Sequence, residues 1–351
     1  MRSNLAHRAI TLLYDEIEDL EETPNGDPPV YREVQRVLVE RGHRVETMAA
    51  TLDVESLVAR IRRDESELIF NLCESLGGVD AHAIRIAALL ELLGRPFTGT
   101  GSFGMTLAQD KALAKKIFSF HGIRYPRFST MQAGQVEWSD ELEFPLFVKP
   151  SNTDSSVGID EGALCANVKE LMQRISYIQT ELKAPVLIEE YIDGREIFVG
   201  VVDGDNGLEA LPIVEWDFSK LKGSPKFATQ KAKWDAQSEA YKAPERFPTD
   251  IPDPVYARIQ AAAVDACRAL RVLDYGRVDM RVRRKSASKP SAAGSTDDDW
   301  EFFVIEVNPN PYLEERSEVA MAAGKRGIEF ADLIERIVHS AIKRTLAATT
   351  N

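Results

Sequence analysis

The chain has 351 residues, which is long enough for two or three compact domains. Apolar residues make up 44% of it and charged residues 28%, and this globular composition excludes a largely disordered chain. The 43 Lys and Arg residues against 56 Asp and Glu residues give a net charge of −13, which repels phosphate backbones and anionic lipids. We therefore expect no nucleic acid and no membrane among its partners.

The cysteines are widely spaced and odd in number, at Cys73, Cys165 and Cys267. This pattern favours reduced thiols over a disulfide framework or a zinc site. The N-terminal apolar run is too short for a signal peptide, and the longest apolar stretch, 83–93, is too short to span a bilayer. The sequence therefore predicts a cytoplasmic protein.

The first hundred residues alternate between short apolar runs and segments whose apolar residues recur at helical spacing. The predicted elements are, in chain order, a strand at 9–14, a helix at 31–41, a strand at 43–48, a helix after Asp53, a strand at 68–72 and a helix at 80–93. This βαβαβα order predicts a small doubly wound α/β domain over residues 1–100.

A turn-rich segment at 96–104, with three glycines and a proline, separates this domain from a second block. The elements predicted for that block are a helix at 105–120, strands at 128–131, 145–149, 186–192, 196–202 and 208–215, and a helix at 168–182. The block is α+β in character, and we predict a central domain over residues 101–215.

The remaining residues, 216–351, are predicted to form a third unit. Its predicted elements are a helix at 254–270, strands at 276–282 and 300–307, and a terminal helix at 330–345. Residues 283–299, between the two strands, are rich in Ser, Ala, Lys and Asp, which is typical of a solvated hairpin extension.

Acidic and amide side chains mark the two C-terminal strands, which read RVDMRV and VIEVNPNP. Because strand residues alternate between faces, Glu306 and Asn308 point to the same face of their strand, and so do Arg277 and Asp279. Two carboxylates and an amide oxygen are ligands that suit Mg²⁺. The alternative is a sheet face held by salt bridges, with Arg277 neutralising its neighbours.

A second group of polar residues lies in FPLFVKPSNTDSSVGID, where an apolar strand carries Lys149 into a loop with Ser155, Ser156 and Gly158. Hydroxyls and backbone N–H groups of such a loop bind phosphate oxygens. The segment is not a Walker A loop, because it lacks the GxxxxGK[ST] pattern. An ordinary surface loop remains the alternative.

Two further groups complete the set of candidates. VLIEEYIDGREI carries Glu189 and Glu196 on either side of a turn, where carboxylates accept hydrogen bonds from ribose hydroxyls and Ile192 flanks a purine. A solvated hairpin face is the alternative. Lys111 and Lys115 stand one helical turn apart, a spacing that usually indicates only a solvent-exposed helix face.

The order of these motifs resembles the ATP-grasp fold and, within it, the D-alanine:D-alanine ligase family. The resemblance covers roughly residues 60–340 through PFTGTG, QDKALAK, FPLFVKPSNTDSSVGI, VLIEEYIDGRE, YGRVDMRV and EVNPNP. It implies an α/β and α+β chain, in which an N-terminal doubly wound pre-ATP-grasp domain precedes the ATP-grasp subdomains.

By position, the resemblance assigns residues to ATP, to metal and to catalysis. For ATP these are Lys111 and Lys149 at the phosphates, Ser155, Ser156, Val157 and Gly158 over the γ-phosphate, Glu189 and Ile192 at the adenine, and Glu196 at the ribose. The implied ligands of two Mg²⁺ ions, with Mn²⁺ as the alternative metal, are Asp279, Glu306 and Asn308. The implied catalytic groups are Arg277, Ser155 and Lys233.

The chemistry implied by the resemblance is an ATP-dependent, ADP-forming ligation. The γ-phosphoryl group passes to a carboxylate, and an amine attacks the resulting acyl phosphate to form a peptide or amide bond. The lysines, Arg277 and the metal would offset the negative charge that develops.

Several positions depart from the family pattern. Its GGxSxE loop, which holds the first substrate's ammonium group, is replaced here by residues 15–27 with seven acids and no base. Asp15 or Glu16 would meet an amine there, although an acidic solvated loop is the alternative. The family's Lys-Tyr pair is matched by Lys233 and Trp234, within a basic segment, 217–246, that suits a mobile lid over ATP.

The end of the second C-terminal strand departs as well, because Tyr312 stands where the family usually has glycine. Ser317 stands about where the family has a serine for the second substrate. The D-alanine dipeptide is the default product of the family, whereas the altered first-substrate site favours small amino acid or carboxylate and amine substrates other than D-alanine, outside peptidoglycan synthesis.

Other functions stay open at this point. A regulatory relative that binds nucleotide without turnover is one alternative, and a homodimer is left open. A nicotinamide dehydrogenase is disfavoured because no GxGxxG follows the first strand.

Overall fold

Three β-sheets organise the protein in the computed structural model, which describes residues 7–19, 28–132, 135–152, 158–218, 227, 229, 243–285 and 299–349. One sheet has three strands and the other two have five each. Within the described residues, no helix combines the length and apolar character needed to cross a membrane.

The N-terminal sheet is parallel, with strand order β2-β1-β3. Its strands are β1 (Ala9–Asp15), β2 (Arg44–Ala50) and β3 (Leu68–Asn71), and its helices are α1 (Val30–Glu40), α2 (Val54–Arg63) and α3 (Ala81–Leu92). Asp53 caps α2 by accepting a hydrogen bond from the backbone N–H of Ser56. The predicted βαβαβα order of this region is confirmed.

The next segment differs from its prediction, because the single helix expected at 105–120 is two helices. They are α4 (Ser102–Gln109) and α5 (Lys111–Phe120). Asp110, between them, leaves the helical conformation, and its carboxylate accepts hydrogen bonds from the N–H groups of Ala112 and Leu113 at 3.1 and 3.0 Å. An aspartate at this N-cap starts a new helix, which begins at Lys111.

The middle sheet is antiparallel, with strand order β5-β4-β8-β6-β7. Its elements are β4 (Phe128–Gln132), β5 (Gln135–Glu137), β6 (Leu146–Pro150), β7 (Leu164–Cys165), α6 (Val168–Thr180) and β8 (Val186–Glu190). Leu171 and Ile175 of α6 pack with Val148 and Ile188 in its core. The short strands β5 and β7 were not predicted from the sequence.

The third sheet is also antiparallel, with strand order β11-β10-β9-β12-β13. Its strands are β9 (Arg195–Gly204), β10 (Gly207–Trp216), β11 (Glu245–Arg246), β12 (Tyr275–Arg284) and β13 (Trp300–Pro309). It therefore joins strands from both sides of position 216, which the sequence-based division separates.

Helices cover both faces of this sheet. They are α7 (Asp253–Ala269), α8 (Glu318–Lys325) and α9 (Phe330–Thr349), of which α8 was not predicted. Ile197 and Val199 of β9 pack in one core with α7, whereas Phe198 and Val202 belong to a second core with α8 and α9. Alternate side chains of β9 thus pack into two different cores, and the second core also contains side chains of the N-terminal sheet.

Candidate active site

A cavity of about 660 Å³, including its open mouth, lies between the middle and third sheets. Its size suits a small-molecule ligand. Strands β6, β8, β9, β12 and β13 all contribute to its lining. Six residues predicted from the sequence line it together: Lys149, Glu189, Ile192, Glu196, Asp279 and Glu306.

The rear of the cavity holds a buried group of three charged side chains. Glu189 is 2% exposed, and its two carboxylate oxygens lie 2.9 Å from the ammonium groups of Lys115 and Lys149. Burial alone would raise the pKa of Glu189, but the two lysines outweigh burial and hold it below its usual value. Two cations against one carboxylate leave this part of the cavity suited to an anionic ligand.

Lys115 corrects the interpretation of its helix as a solvent-exposed face, because its side chain is fully buried. Its ammonium group donates a hydrogen bond to the carbonyl oxygen of Ile305 at 2.7 Å. The register of β12 and β13 shifts between Asp279 and Met280, which leaves Ile305 as an extra residue of β13. Such a β-bulge interrupts the ladder, and here the carbonyl group of the extra residue accepts from a lysine.

Lys111 lies beside this group at the first position of α5. Its side chain is buried, and its ammonium group lies 3.3 Å from Oε2 of Glu306. Its backbone N–H donates to the carbonyl of Ser151, directly after β6. The helix break at Asp110 therefore places Lys111 against the strand that carries Lys149.

The chain between β8 and β9 forms a second wall of the cavity. Ile192 is buried there and lines the cavity together with Phe147, Tyr191 and Phe227. These three aromatic rings contact one another, and the rings of Phe147 and Phe227 lie 4.9 Å apart in an edge-to-face arrangement. Glu196 follows at the start of β9, with its carboxylate 3.1 Å from the guanidinium of Arg281. A flat apolar space beside a carboxylate fits a nucleoside.

The metal-ligand candidates face one another across β12 and β13. Asp279 is the register partner of Glu306, and Arg277 is the partner of Asn308. Directly opposed residues of antiparallel strands share a face, as the sequence predicts. Asp279 accepts two hydrogen bonds from Arg277, at 2.7 and 3.1 Å, so that the alternative of a salt-bridged face also describes these residues.

This donor set fits a magnesium ion. Among the described residues no group of three or more His, Cys, Asp or Glu side chains is placed to hold a metal ion, and Asn308 is the predicted third donor beside Asp279 and Glu306. Its buried Nδ2 has no hydrogen-bond partner in the part of the chain that is described. Hydrogen bonding to that atom therefore does not fix which end of the amide faces the cavity.

Arg277 connects the metal-ligand candidates to the opposite end of the cleft. Besides Asp279, its guanidinium contacts Glu318 at 3.2 Å. Burial would lower the pKa of Arg277, but these two carboxylates outweigh it and hold the pKa above its usual value. Arg277 therefore keeps its positive charge next to the predicted metal ligands.

Asp15, expected to meet a substrate amine, is buried and already engaged. Its carboxylate accepts hydrogen bonds from the hydroxyl of Ser75 at 2.6 Å and from the N–H groups of Gly77, Gly78 and Ile17 at 3.2 to 3.4 Å. These bonds tie the end of β1 to the loop after β3. Glu16 is exposed, in a short 3₁₀ turn at Glu16–Asp19.

Two carboxylates that were not singled out from the sequence lie near Arg277. Burial and the nearby Glu18 raise the pKa of Glu74 to about 8, and burial and the nearby Glu318 raise that of Glu245 to about 7. Both side chains are nevertheless exposed to solvent at one side, while neighbouring parts of the protein limit the hydration of their carboxyl groups. Glu74 follows β3, and the carboxyl ends of parallel strands are common ligand sites. Its position after a predicted strand could therefore have identified Glu74 as a candidate from the sequence.

The other substrate candidates lie on the same C-terminal segment. Tyr312 is 41% exposed, and burial of its remaining surface together with Glu314 raises its pKa above the usual range. Ser317 is the N-cap of α8 and accepts a hydrogen bond from the N–H of Ala320.

Several predicted residues lie outside the described part of the chain: Ser155, Ser156, Val157, Lys233 and Trp234. Gly158, the last residue of the predicted phosphate loop, is described and has φ +73. A Cβ atom there would lie 2.6 Å from Leu182 and 3.1 Å from Pro150, so that only glycine fits.

Comparison with known proteins decides the family. Residues 116–339 match the family model described as the D-ala D-ala ligase C-terminus. The chain belongs to the D-Ala–D-Ala ligase family. A D-alanine–D-alanine ligase of Syntrophotalea carbinolica is 30% identical over 89% of this chain and 90% of its own length. The uncharacterized protein y4sG of Sinorhizobium fredii is 33% identical over 80% of this chain and 76% of its own length.

Solved structures of this ligase family show the same fold. The D-alanine–D-alanine ligase of Bacillus anthracis complexed with ATP matches 97% of this chain and 99% of its own, with a TM-score of 0.69 and 21% identity. A second crystal structure of the Bacillus anthracis enzyme matches 98% of this chain, with a TM-score of 0.71. The fold is therefore ATP-grasp, with an N-terminal doubly wound domain, as the resemblance implied. The D-Ala–D-Ala ligase family is ATP-dependent, which agrees with a cavity that suits an anionic nucleotide.

Proposed function

We propose that this protein is an ATP-dependent, ADP-forming ligase that joins a small carboxylate to an amine through an acyl phosphate. One observation carries the proposal: a single cavity joins the Lys115–Glu189–Lys149 group and Glu196 to Asp279 and Glu306. The residues suited to bind a nucleotide and those suited to assist phosphoryl transfer therefore line the same cavity.

The mechanism follows from the weakness of a carboxylate as an electrophile. Transfer of the γ-phosphoryl group to the carboxylate forms an acyl phosphate, and the amine attacks its carbonyl carbon, giving the amide, ADP and inorganic phosphate after loss of a proton. Lys111 and Lys149 would bind the ATP phosphates, and Arg277 would offset the charge on the developing oxyanion. No protein nucleophile is needed.

Asp279, Glu306 and Asn308 would hold magnesium at the end of the cavity nearest Arg277. When bound, the metal supplies charge neutralisation at the transferring phosphoryl group. Asp279 and Glu306 would exchange their contacts with Arg277 and Lys111 for the ion, which frees both cations to face substrate oxygens.

We further propose that the substrates differ from two D-alanines. Asp15 is occupied by four hydrogen bonds within the N-terminal domain, so its carboxylate is unsuited to a substrate ammonium group. Glu74 and Glu245 instead stand near Arg277 with raised pKa values. Perturbed carboxylates of this kind concentrate at functional sites.

A substrate panel tests both parts of this proposal. Purified protein is incubated with ATP, Mg²⁺ and pairs drawn from D- and L-amino acids, small carboxylates and amines, and phosphate release and product mass are measured. We expect ADP formation with a pair other than D-alanine and D-alanine. Robust synthesis of D-Ala-D-Ala would contradict the altered substrate, and ATP binding without turnover for every pair would favour the regulatory alternative.

A further inference from the structure

Arg281 occupies a position in the nucleotide cavity that the reaction described above does not use. It follows Arg277 and Asp279 at two-residue spacing on β12, and its register partner on β9 is Glu196. Its side chain is buried, with 6% exposure, and it lines the cavity. An arginine buried at a ligand cavity requires partners for its charge and its five N–H groups.

One guanidinium group serves two parts of the predicted nucleoside site. Its Nε and Nη2 atoms donate to the carbonyl oxygen of Ile192 at 3.2 and 3.1 Å, and its Nη1 atom donates to Oε2 of Glu196 at 3.1 Å. The guanidinium also lies 5.7 Å from the ring centroid of Tyr191. Arg281 thus contacts the backbone beside the predicted adenine and the carboxylate beside the predicted ribose.

We propose that Arg281 is a positioning residue for the nucleotide, which fixes the Ile192 peptide and the Glu196 carboxylate in the orientation that binds adenine and ribose. This inference rests on the proposed function, because it assumes that the cavity binds ATP. A planar guanidinium holds two acceptors at fixed directions, which an ammonium group does not. Groups ordered before binding cost less conformational entropy when the ligand arrives.

The neighbouring residues explain why this position affects affinity. Removal of Arg281 would take two N–H donors from the carbonyl of Ile192 and one charged donor from the carboxylate of Glu196. An uncompensated buried acceptor is unfavourable, so both groups would turn toward other donors. Glu196 would then lose its orientation toward the ribose hydroxyls.

The test compares Arg281→Met and Arg281→Lys with a matched control, Arg283→Met. Arg283 stands two residues further along β12 and pairs with Glu301 at 3.0 Å, away from the cavity lining. Affinities for ATP, 2′-deoxy-ATP and 3′-deoxy-ATP with Mg²⁺ are measured by isothermal titration calorimetry on the full chain. Thermal unfolding of each variant is recorded beside them.

We expect the ATP affinity of Arg281→Met to fall by about 10-fold or more, which is the usual effect of losing charge-assisted hydrogen bonds. The preference of the wild-type protein for ATP over the deoxy-nucleotides should fall toward one. Arg281→Lys, which keeps the charge, should not restore this preference. In turnover with any active substrate pair, KM for ATP should rise while kcat changes less than threefold. Arg283→Met should retain wild-type values.

Unchanged nucleotide preference in both Arg281 variants would overturn the proposal. An equal loss of affinity for all three nucleotides, accompanied by a lower melting temperature, would assign Arg281 a purely structural role and overturn it as well. If Arg281→Met does not fold, Arg281→Lys decides between these results. Absence of ATP binding by the wild-type protein would overturn the proposed function itself, which is a different result.

Discussion

The carboxylates at the two ends of the cleft differ in whether cationic side chains pair with them. At the nucleotide end, Glu189 is matched by two lysines and Glu196 by Arg281. At the other end, no hydrogen bond or ion pair from the described residues reaches the side-chain carboxyl groups of Glu74 and Glu245, and both have raised pKa values. The end proposed to bind nucleotide is thus neutralised within the protein, whereas the end proposed to bind substrates has carboxyl groups whose ionisation a positively charged ligand would favour.

This difference separates what the protein shares with its family from what is particular to it. ATP is common to the whole family, so its site profits from fixed, internally neutralised groups. A specific substrate is selected by groups that lack partners until it arrives, because a wrong ligand leaves them unsatisfied.

The largest expected effect is on ADP formation and concerns the predicted metal ligands, which lie between the two ends of the cleft. Asp279→Asn and Glu306→Gln should each reduce ADP formation by about 100-fold or more, because electrostatic stabilisation of the transferring group depends on them. Steady-state ADP release measures this effect. Glu301→Gln, on β13 but outside the cavity lining, is the matched control and should keep wild-type turnover. Wild-type turnover in both site variants would refute the metal assignment.

A second prediction tests whether the nucleotide end depends on internal neutralisation. Lys115→Met removes one partner of a buried ion pair and should lower the free energy of unfolding by about 3 kcal/mol. Lys116→Met, one residue along α5, removes an exposed pair with Glu137 and should cost less than about 1 kcal/mol. Urea denaturation measures both. Equal costs for the two variants would show that the buried pair is not special.

The third prediction concerns the helix break that places Lys111. Asp110→Ala and Asp53→Ala each remove an N-cap and should each cost about 1 kcal/mol of stability, measured by denaturation. Only Asp110→Ala should also weaken ATP binding, by a few-fold, because the residue after it is Lys111. Equal ATP affinities in the two variants would show that the Asp110 cap does not contribute to ATP binding through Lys111.

The smallest effect tests the substrate end through pH. A folded-state pKa of about 8 for Glu74 means that the folded protein binds more protons than the unfolded chain, so this group's contribution to stability falls as pH rises from about 4.5 through 8. Glu18, Asp80 and Glu314 oppose its ionisation, and Arg277 favours it.

Glu74→Gln should therefore flatten the decline of the melting temperature between about pH 5.5 and 8.5. The change should be small, because the side chain is accessible to solvent. Glu16→Gln, exposed on the turn after β1, is the control. An identical pH profile for Glu74→Gln and the wild-type protein would contradict the raised pKa.

The sequence predicted most of the helices and strands because their signals are local. Alternation correctly grouped Arg277 with Asp279 and Glu306 with Asn308, since both strands were recognised and strand residues keep a fixed period, whereas the register that puts Asp279 opposite Glu306 comes from the structure. The end of α4 was missed although aspartate is a favoured N-cap residue, because helix-forming residues stand on both sides of Asp110, and the break shows only in the hydrogen bonds that its carboxylate accepts from Ala112 and Leu113.

The unpredicted parts of the site depend on contacts between distant segments. Lys115 is buried because β8 and the bulge of β13, 74 and 190 residues away, supply a carboxylate and a carbonyl group. Asp15 is occupied because Ser75 and Gly77 fold against it from 60 residues further along the chain. Neither contact can be predicted from the local sequence, because each joins segments that are far apart along the chain.

The extra residue Ile305 sets the phase of β13. Before it, Trp300 and Val304 point into the core beneath α7, and after it Val307 does so, while Glu306 is opposite Asp279. Even-numbered residues thus face that core on one side of the bulge and odd-numbered residues on the other. Deleting this single residue would restore a regular ladder, in which Val304 and Glu306 still oppose Met280 and Asp279, but it would remove the carbonyl group that accepts from Lys115. Substituting it by valine would spare the carbonyl that Lys115 uses, so the site tolerates a change of side chain at this position but not a change of chain length.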